Sequence, residues 1–147
     1  MHILMCNDDG ILADGLRHLA SYLSQYYRIT VVAPANEQSA KSHALTTEVP
    51  LKLDAYNGED ENPRLYALTG TPSGLSYLLT DDMPDLVISG INHGFNLGSD
   101  VLYSGTVSAA MESCFYGIPG LALSVERYSV ERGDEMHPFI HELIEKI

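Results

Sequence analysis

A short apolar run, Ile3 to Cys6, breaks off into Asn7-Asp8-Asp9-Gly10, and a second, β-branched run, Arg28 to Ala33, follows one amphipathic segment later. Leu16, Leu19, Ala20 and Leu23 recur at helical spacing between the two runs and give a helix starting at Asp14 or Gly15 one apolar face. Strand, helix and strand within the first 33 positions make a βαβ unit. Parallel strands need a crossover of this kind. The chain is thereby confined to the α/β class with parallel strands, and polar groups delivered at strand ends collect on the carboxyl edge of the sheet, where such folds bind ligands.

The rest of the chain extends the pattern. The stretch from Pro34 to His43 is polar and leaves the second strand on the same edge as Asp8 and Asp9, which places Ser39 near the carboxylates. Leu45 to Ala55, interrupted by Pro50, reads as irregular strands or a hairpin, Tyr56 to Pro63 as an acidic loop, and Arg64 to Leu68 as a strand. Thr71 and Pro72 open a helix reaching about Thr80, and Asp85 to Ser89 is a strand apolar enough to be buried on both faces. Gly90 to Gly105 has no periodicity of either kind and reads as a long loop, a length that is usually functional in a compact domain. Thr106 to Tyr116 reads as a helix with Val107, Met111, Cys114 and Phe115 buried, stopped by Gly117 and Pro119. Leu121 to Val125 is a strand, Glu126 to Asp134 a charged loop, and a last helix runs from about Pro138 with Phe139, Ile140, Leu143, Ile144 and Ile147 inside. That helix stops on an apolar residue, so its packing partner is expected in a further segment or another subunit, whereas the strand starting at residue 2 leads us to expect nothing before the domain.

The 147 residues suit one domain, and 45% hydrophobic content supplies its core. Eight Lys plus Arg stand against 20 Asp plus Glu, and a net charge of −12 argues against a nucleic-acid backbone or an anionic membrane as partner. A small phosphorylated substrate stays compatible, its charge met locally by a metal and backbone N–H groups. Cys6 and Cys114, both in apolar stretches, read as reduced core residues of a cytoplasmic protein. Neither a secretory leader nor an apolar run long enough to span a bilayer is visible.

The chemistry concentrates at three places. Asp8 and Asp9 are adjacent carboxylates at a strand end, where Gly10 lets the backbone turn both toward one cation and Asn7 can brace the turn. An Asx-rich turn that merely caps the next helix is the bland alternative. Oxygen donors without a thiolate or histidine cluster suit a hard ion, Mg²⁺ or Mn²⁺, with Ser39 and Asn92 as further donors from neighbouring loops. Each of those two alone reads as a surface or turn residue; their weight comes from converging on one edge. Ser104, Gly105 and Thr106 enter a helix from that edge, so free N–H groups, the helix dipole and two hydroxyls make an anion site, with a plain Ser or Thr cap as the alternative. A cation facing a helix N-terminus is the arrangement phosphoryl hydrolysis needs, with Asp8 or Asp9 orienting the attacking water. His43 and His93 read as surface histidines more readily than as acids or bases; His2 and His18 carry no functional reading, and His137 and His141 look like helix-end or helix-surface residues. No Ser/His/Asp order, dinucleotide fingerprint after the first strand or Walker A spacing is present.

The segments NDDGILADGL, VVAPANEQS, Gly70-Thr71-Pro72, PDLVISGINHGFNLGSDVLYSGTVSAAMES and GIPGLALS, in order from Met1 to about Val125, resemble the SurE family of stationary-phase survival proteins. The resemblance implies a Rossmann-like three-layer α/β/α fold with a mostly parallel sheet. It also implies a metal-dependent 5′(3′)-nucleotidase acting on nucleoside monophosphates, with short polyphosphate or oligonucleotide as further substrates of some members. By position it implies one divalent ion on Asp8, Asp9, Ser39 and Asn92, phosphate contacts from Asn96, Ser104, Gly105 and Thr106, and a dimer or tetramer. Asn96 comes from the resemblance alone. Three departures stand out: Ala40 where the family commonly has glycine, Ser73-Gly74-Leu75 where it often has Ala-Asp-Cys, and a chain short at its C-terminal end. The last motivates an alternative, a phosphate- or nucleotide-binding or assembly module without turnover.

Overall fold

The computed structural model describes residues 1–35, 52–58, 60–69 and 82–147. Among these residues six strands form one sheet: β1 (His2–Cys6), β2 (Arg28–Pro34), β3 (Lys52–Ala55), β4 (Arg64–Thr69), β5 (Leu86–His93) and β6 (Gly120–Val125), in the order β3-β4-β2-β1-β5-β6. Every pair is parallel except β3 with β4. Side chains alternate across the central strands. Ile3, Met5, Ile29, Val31, Leu86 and Ile88 face α1 (Asp14–Leu23) and α3 (Val130–Ile144). Leu4, Cys6, Val32 and Val87 face α2 (Gly105–Phe115) through Ala109. The result is the expected three-layer α/β/α arrangement, and the near-continuous apolar character of β1 and β5 follows from burial on both faces.

The βαβ unit stands as read, with Leu16, Leu19, Ala20 and Leu23 all fully buried. Of the segment ending at Ala55, the described part is β3, which pairs antiparallel with β4 across the acidic loop. The helix expected from Thr71 to Thr80 and most of the polar stretch from Pro34 to His43 lie outside the described residues.

Four expectations are corrected. The strand expected to end at Ser89 continues to His93 through an irregularity in its pairing with β6 between Ser89 and Asn92. Gly90 permits it, with φ of +129° and a backbone so close to Leu123 that a Cβ would overlap its carbonyl oxygen. The supposed loop after it also contains a 3₁₀ helix, Gly98–Tyr103. The second correction concerns α2. Its buried residues are Thr106, Ala109, Ala110 and Ser113, while Met111 is 53% and Phe115 81% exposed and Cys114 is exposed as well. The helix lies too close to β6 for large side chains: a Cβ on Gly120 would overlap the Ala110 carbonyl oxygen and stand 2.7 Å from Ser113 Oγ. Third, α3 begins at Val130, within the stretch read as a charged loop, because Ser129 caps it by accepting from the Arg132 N–H at 3.3 Å. Pro138 sits inside this helix and does not start it. Fourth, the inward face of α3 is Gly133, His137, Ile140 and Ile144, whereas Phe139 and Ile147 are exposed.

Candidate active site

The turn after β1 is built by Asn7, a buried side chain whose Oδ1 accepts from the Gly10 N–H at 3.1 Å and whose Nδ2 donates to the Gly10 carbonyl at 3.2 Å. Gly10 takes φ of +106°, a conformation that L side chains resist. The Ile11 N–H donates to the Pro34 carbonyl at 2.8 Å, which fastens the turn to the end of β2. Asp8 and Asp9, both half-buried, are thus held at the carboxyl end of the sheet's central strand, beside the crevice where the chain leaves β1 for β2 on one side and returns as β5 on the other. Below them the Cys6 thiol is pushed up to about 12, mainly by burial, so it stays protonated and offers no thiolate.

The N-terminus of α2 meets Asp8 directly. Thr106 Oγ1 donates to Asp8 Oδ1 at 3.1 Å, and a Cβ on Gly105 would stand 3.0 Å from Asp8 Oδ2. Gly105 is what lets backbone and carboxylate approach this closely. Ser104 is the N-cap: its Oγ accepts from the Val107 N–H at 3.2 Å, the plain capping role, which leaves its hydroxyl hydrogen to donate elsewhere. Asn92, on the last turn of β5 toward the same edge, donates from Nδ2 to the Gly94 carbonyl at 2.9 Å, leaving Oδ1 as its acceptor. Asn96 follows in the next loop, and its Nδ2 is buried with no hydrogen-bond partner among the described residues. A buried amide donor without a partner is costly unless something arrives to accept from it.

Asp8, Gly105 and Thr106 are therefore in contact, Asp9 and Asn92 stand at the same strand ends, and Asn96 presents an unused donor nearby in the chain. Ser39 and His43 lie outside the described residues, and His93 is exposed with its ring edge toward Tyr128. His137, expected at a helix surface, is 1% exposed and belongs to a separate cluster with His18, Asp134 and Tyr128. Its signal in the sequence, an Asp and a His three apart on one helix face, is hidden while residues 126–134 are taken for a loop.

Comparison with known proteins identifies what the chain is similar to. The family described as "Survival protein SurE" matches residues 3–147. A 5′-nucleotidase SurE from Thermoanaerobacter sp. (strain X514) is 47% identical, the alignment covering 100% of this chain and 60% of the relative. Another from Methylococcus capsulatus (strain ATCC 33009 / NCIMB 11132 / Bath) is 45% identical over 100% of this chain and 58% of its own length. Among solved structures, the crystal structure of the SurE protein from Aquifex aeolicus superposes with a TM-score of 0.82 at 37% identity, covering 99% of this chain and 59% of that one. The chain spans about 60% of the length of the curated relatives it matches.

Proposed function

The chain belongs to the SurE family, and on that premise we propose that it is a metal-dependent phosphomonoesterase hydrolysing nucleoside 5′- and 3′-monophosphates to nucleoside and phosphate. The observation that carries the reading is the contact of Gly105 and Thr106, the first residues of α2, with Asp8. The start of a helix and a carboxylate are in direct contact there, bridged by the Thr106 hydroxyl.

One Mg²⁺ or Mn²⁺ fits the residues present. Asp8, Asp9 and Asn92 can offer oxygens to a hard ion, and the nearby thiol is closed off by burial. Asp8, Asp9 and Asn92, with Ser39 from the loop after β2, would hold the ion. When bound it supplies Lewis-acid polarisation of a phosphoryl oxygen and lowers the pKa of water. The protein's own part is positional and electrostatic. Free N–H groups at the start of α2 receive the negative equatorial oxygens, and the Ser104 hydroxyl and Asn96 Nδ2 donate to the same group. Thr106 holds Asp8 in one orientation, so that Asp8 or Asp9 can accept a proton from the attacking water.

Phosphate release from a panel of 5′- and 3′-nucleoside monophosphates, with Mn²⁺, Mg²⁺ or EDTA, tests this. Turnover should require the metal, and Asp8→Asn should lower the rate by about three orders of magnitude while circular dichroism is unchanged. A variant as fast as the parent would refute the assignment. Short polyphosphate and oligonucleotide belong in the same panel; the family resemblance favours a homodimer or tetramer for the full-length protein, and the reading of Cys6 and Cys114 as reduced favours the cytoplasm. Among the described residues no helix is long and apolar enough to cross a membrane. A second reading is a nucleotide-binding or assembly module without turnover. It predicts metal and nucleotide binding by calorimetry with no phosphate release.

A further inference from the structure

Between α1 and α3 three potential ligands converge. His18 on α1 bonds Tyr128 Oη through Nδ1 at 2.7 Å, and its Nε2 stands 3.4 Å from Asp134 Oδ1 on α3. One turn along α3, His137 is buried, and neither of its ring nitrogens has a hydrogen-bond partner among the described residues. Its ring packs edge-on against His18, with centroids 4.6 Å apart, and lies tilted against Tyr22 at 5.1 Å. One ligand atom from each of His18, Asp134 and His137 falls within 4.8 Å of the others.

A fully buried imidazole with both nitrogens unsatisfied costs stability unless it serves a purpose. Asp134 and His137 sit three residues apart on one helix face, so both project toward His18. Gly133, inside α3, is a further sign that the cluster is built. A Cβ there would overlap Tyr128 Oη and stand 2.9 Å from His18 Nδ1. Glycine in a helix interior costs about 0.5–1 kcal/mol, and here it preserves the Tyr128–His18 bond. That bond occupies Nδ1 and leaves Nε2 directed at Asp134, the outer-shell orientation typical of a metal-ligating histidine.

We propose that His18, Asp134 and His137 form a second metal centre that takes one divalent ion of borderline softness, Zn²⁺ foremost, and staples α3 to α1. Two imidazoles and one carboxylate suit Zn²⁺ and disfavour Mg²⁺, the opposite of the oxygen-only set at the carboxyl edge. The Nε2–Oδ1 separation of 3.4 Å is the ligand–ligand edge of a tetrahedron with metal–ligand bonds of about 2.0–2.1 Å. The Asp134 side chain is 68% exposed, which gives the ion access and leaves the fourth position to water. Burial, reinforced by neighbouring His18 and opposed by Asp134, pulls His137 down to about 4, so its ring is a neutral lone-pair donor at pH 7. The centre does not depend on the nucleotidase reading, and its test does not measure phosphate release.

The test uses the full chain carrying Asp8→Asn, with Mg²⁺ in excess to occupy what remains of the oxygen site. Zn²⁺ content after gel filtration, the visible absorption of Co²⁺ loaded in its place, and Tm are measured. One Zn²⁺ per chain is expected, with a Co²⁺ spectrum showing nitrogen ligation and a Tm raised by the ion. Asp134→Asn and His18→Gln, added singly, should each weaken binding about 100-fold and abolish the rise in Tm. Asp134→Asn alters an exposed side chain, and the Tm of its metal-free form verifies folding. No Zn²⁺ on the Asp8→Asn chain, or undiminished affinity in either added variant, would overturn the centre.

Discussion

Gly105 illustrates how much one absent methyl group decides. At the first position of α2 alanine is the better helix former, so Gly105→Ala should leave stability within about 1 kcal/mol of the parent. The new Cβ would stand 3.0 Å from Asp8 Oδ2, a crowded approach to which the carboxylate has to yield. Asp8 must shift, and a displaced carboxylate at a reacting centre costs about 100-fold in rate. Urea melts and phosphate-release assays on the same preparation read the two effects separately. A fully active Gly105→Ala chain would mean that Asp8 has slack. At this scale the site was well exposed in the linear chain: Asn7 bracing Gly10, and a glycine followed by threonine after a capping serine, can be read directly from local turn and cap chemistry. The cluster around His137 could not, because its members come from two helices and the start of one of them, which carries Asp134, reads as a charged loop.

Elements were less legible than residues, and α2 shows why. Val107, Met111, Cys114 and Phe115 are as regularly spaced as Thr106, Ala109, Ala110 and Ser113, and bulk favours the first set. What selects the second is the separation between helix and sheet, which is set by Gly120 in a distant segment. Periodicity reports that a face exists; it does not report how near the neighbouring layer stands. The distinction is measurable. Ala110→Leu should destabilise the protein by about 1–3 kcal/mol through overpacking, while Phe115→Ser should change stability by no more than about 0.5 kcal/mol. The ranking of the two urea midpoints decides it, and the reverse order would restore the bulky face as the buried one. The start of α3 was missed for a related reason. Its first turn is polar, and the proline at 138 resembles a beginning although the Ser129 cap lies well upstream.

Across the whole molecule, the strand order places β1 at the centre with β2 and β5 on either side, so the turn after β1 and the end of β5 share one crevice. The pairing of β1 with β2 follows from the βαβ pattern, whereas the place of β5 on the other side of β1 is a finding of the structure. The extension of β5 to His93 did not follow from that pattern either, since the apolar signal stops at Ser89 and the remaining residues are carried by pairing with β6. The close seat of α2 on Gly120 has a mechanical consequence as well. Ala110 lies midway along α2, about 8 Å along the axis from Gly105, and the contact beneath it is a fulcrum for the helix as a rigid beam. Gly120→Ala would lift the beam there and tilt the end that meets Asp8, so specific activity per folded molecule should drop about tenfold or more although no group at the reacting centre has changed. Should that variant fold and keep its full rate, the beam is compliant; should it slow, tolerance to mutation on β6 is limited by aim as well as by stability.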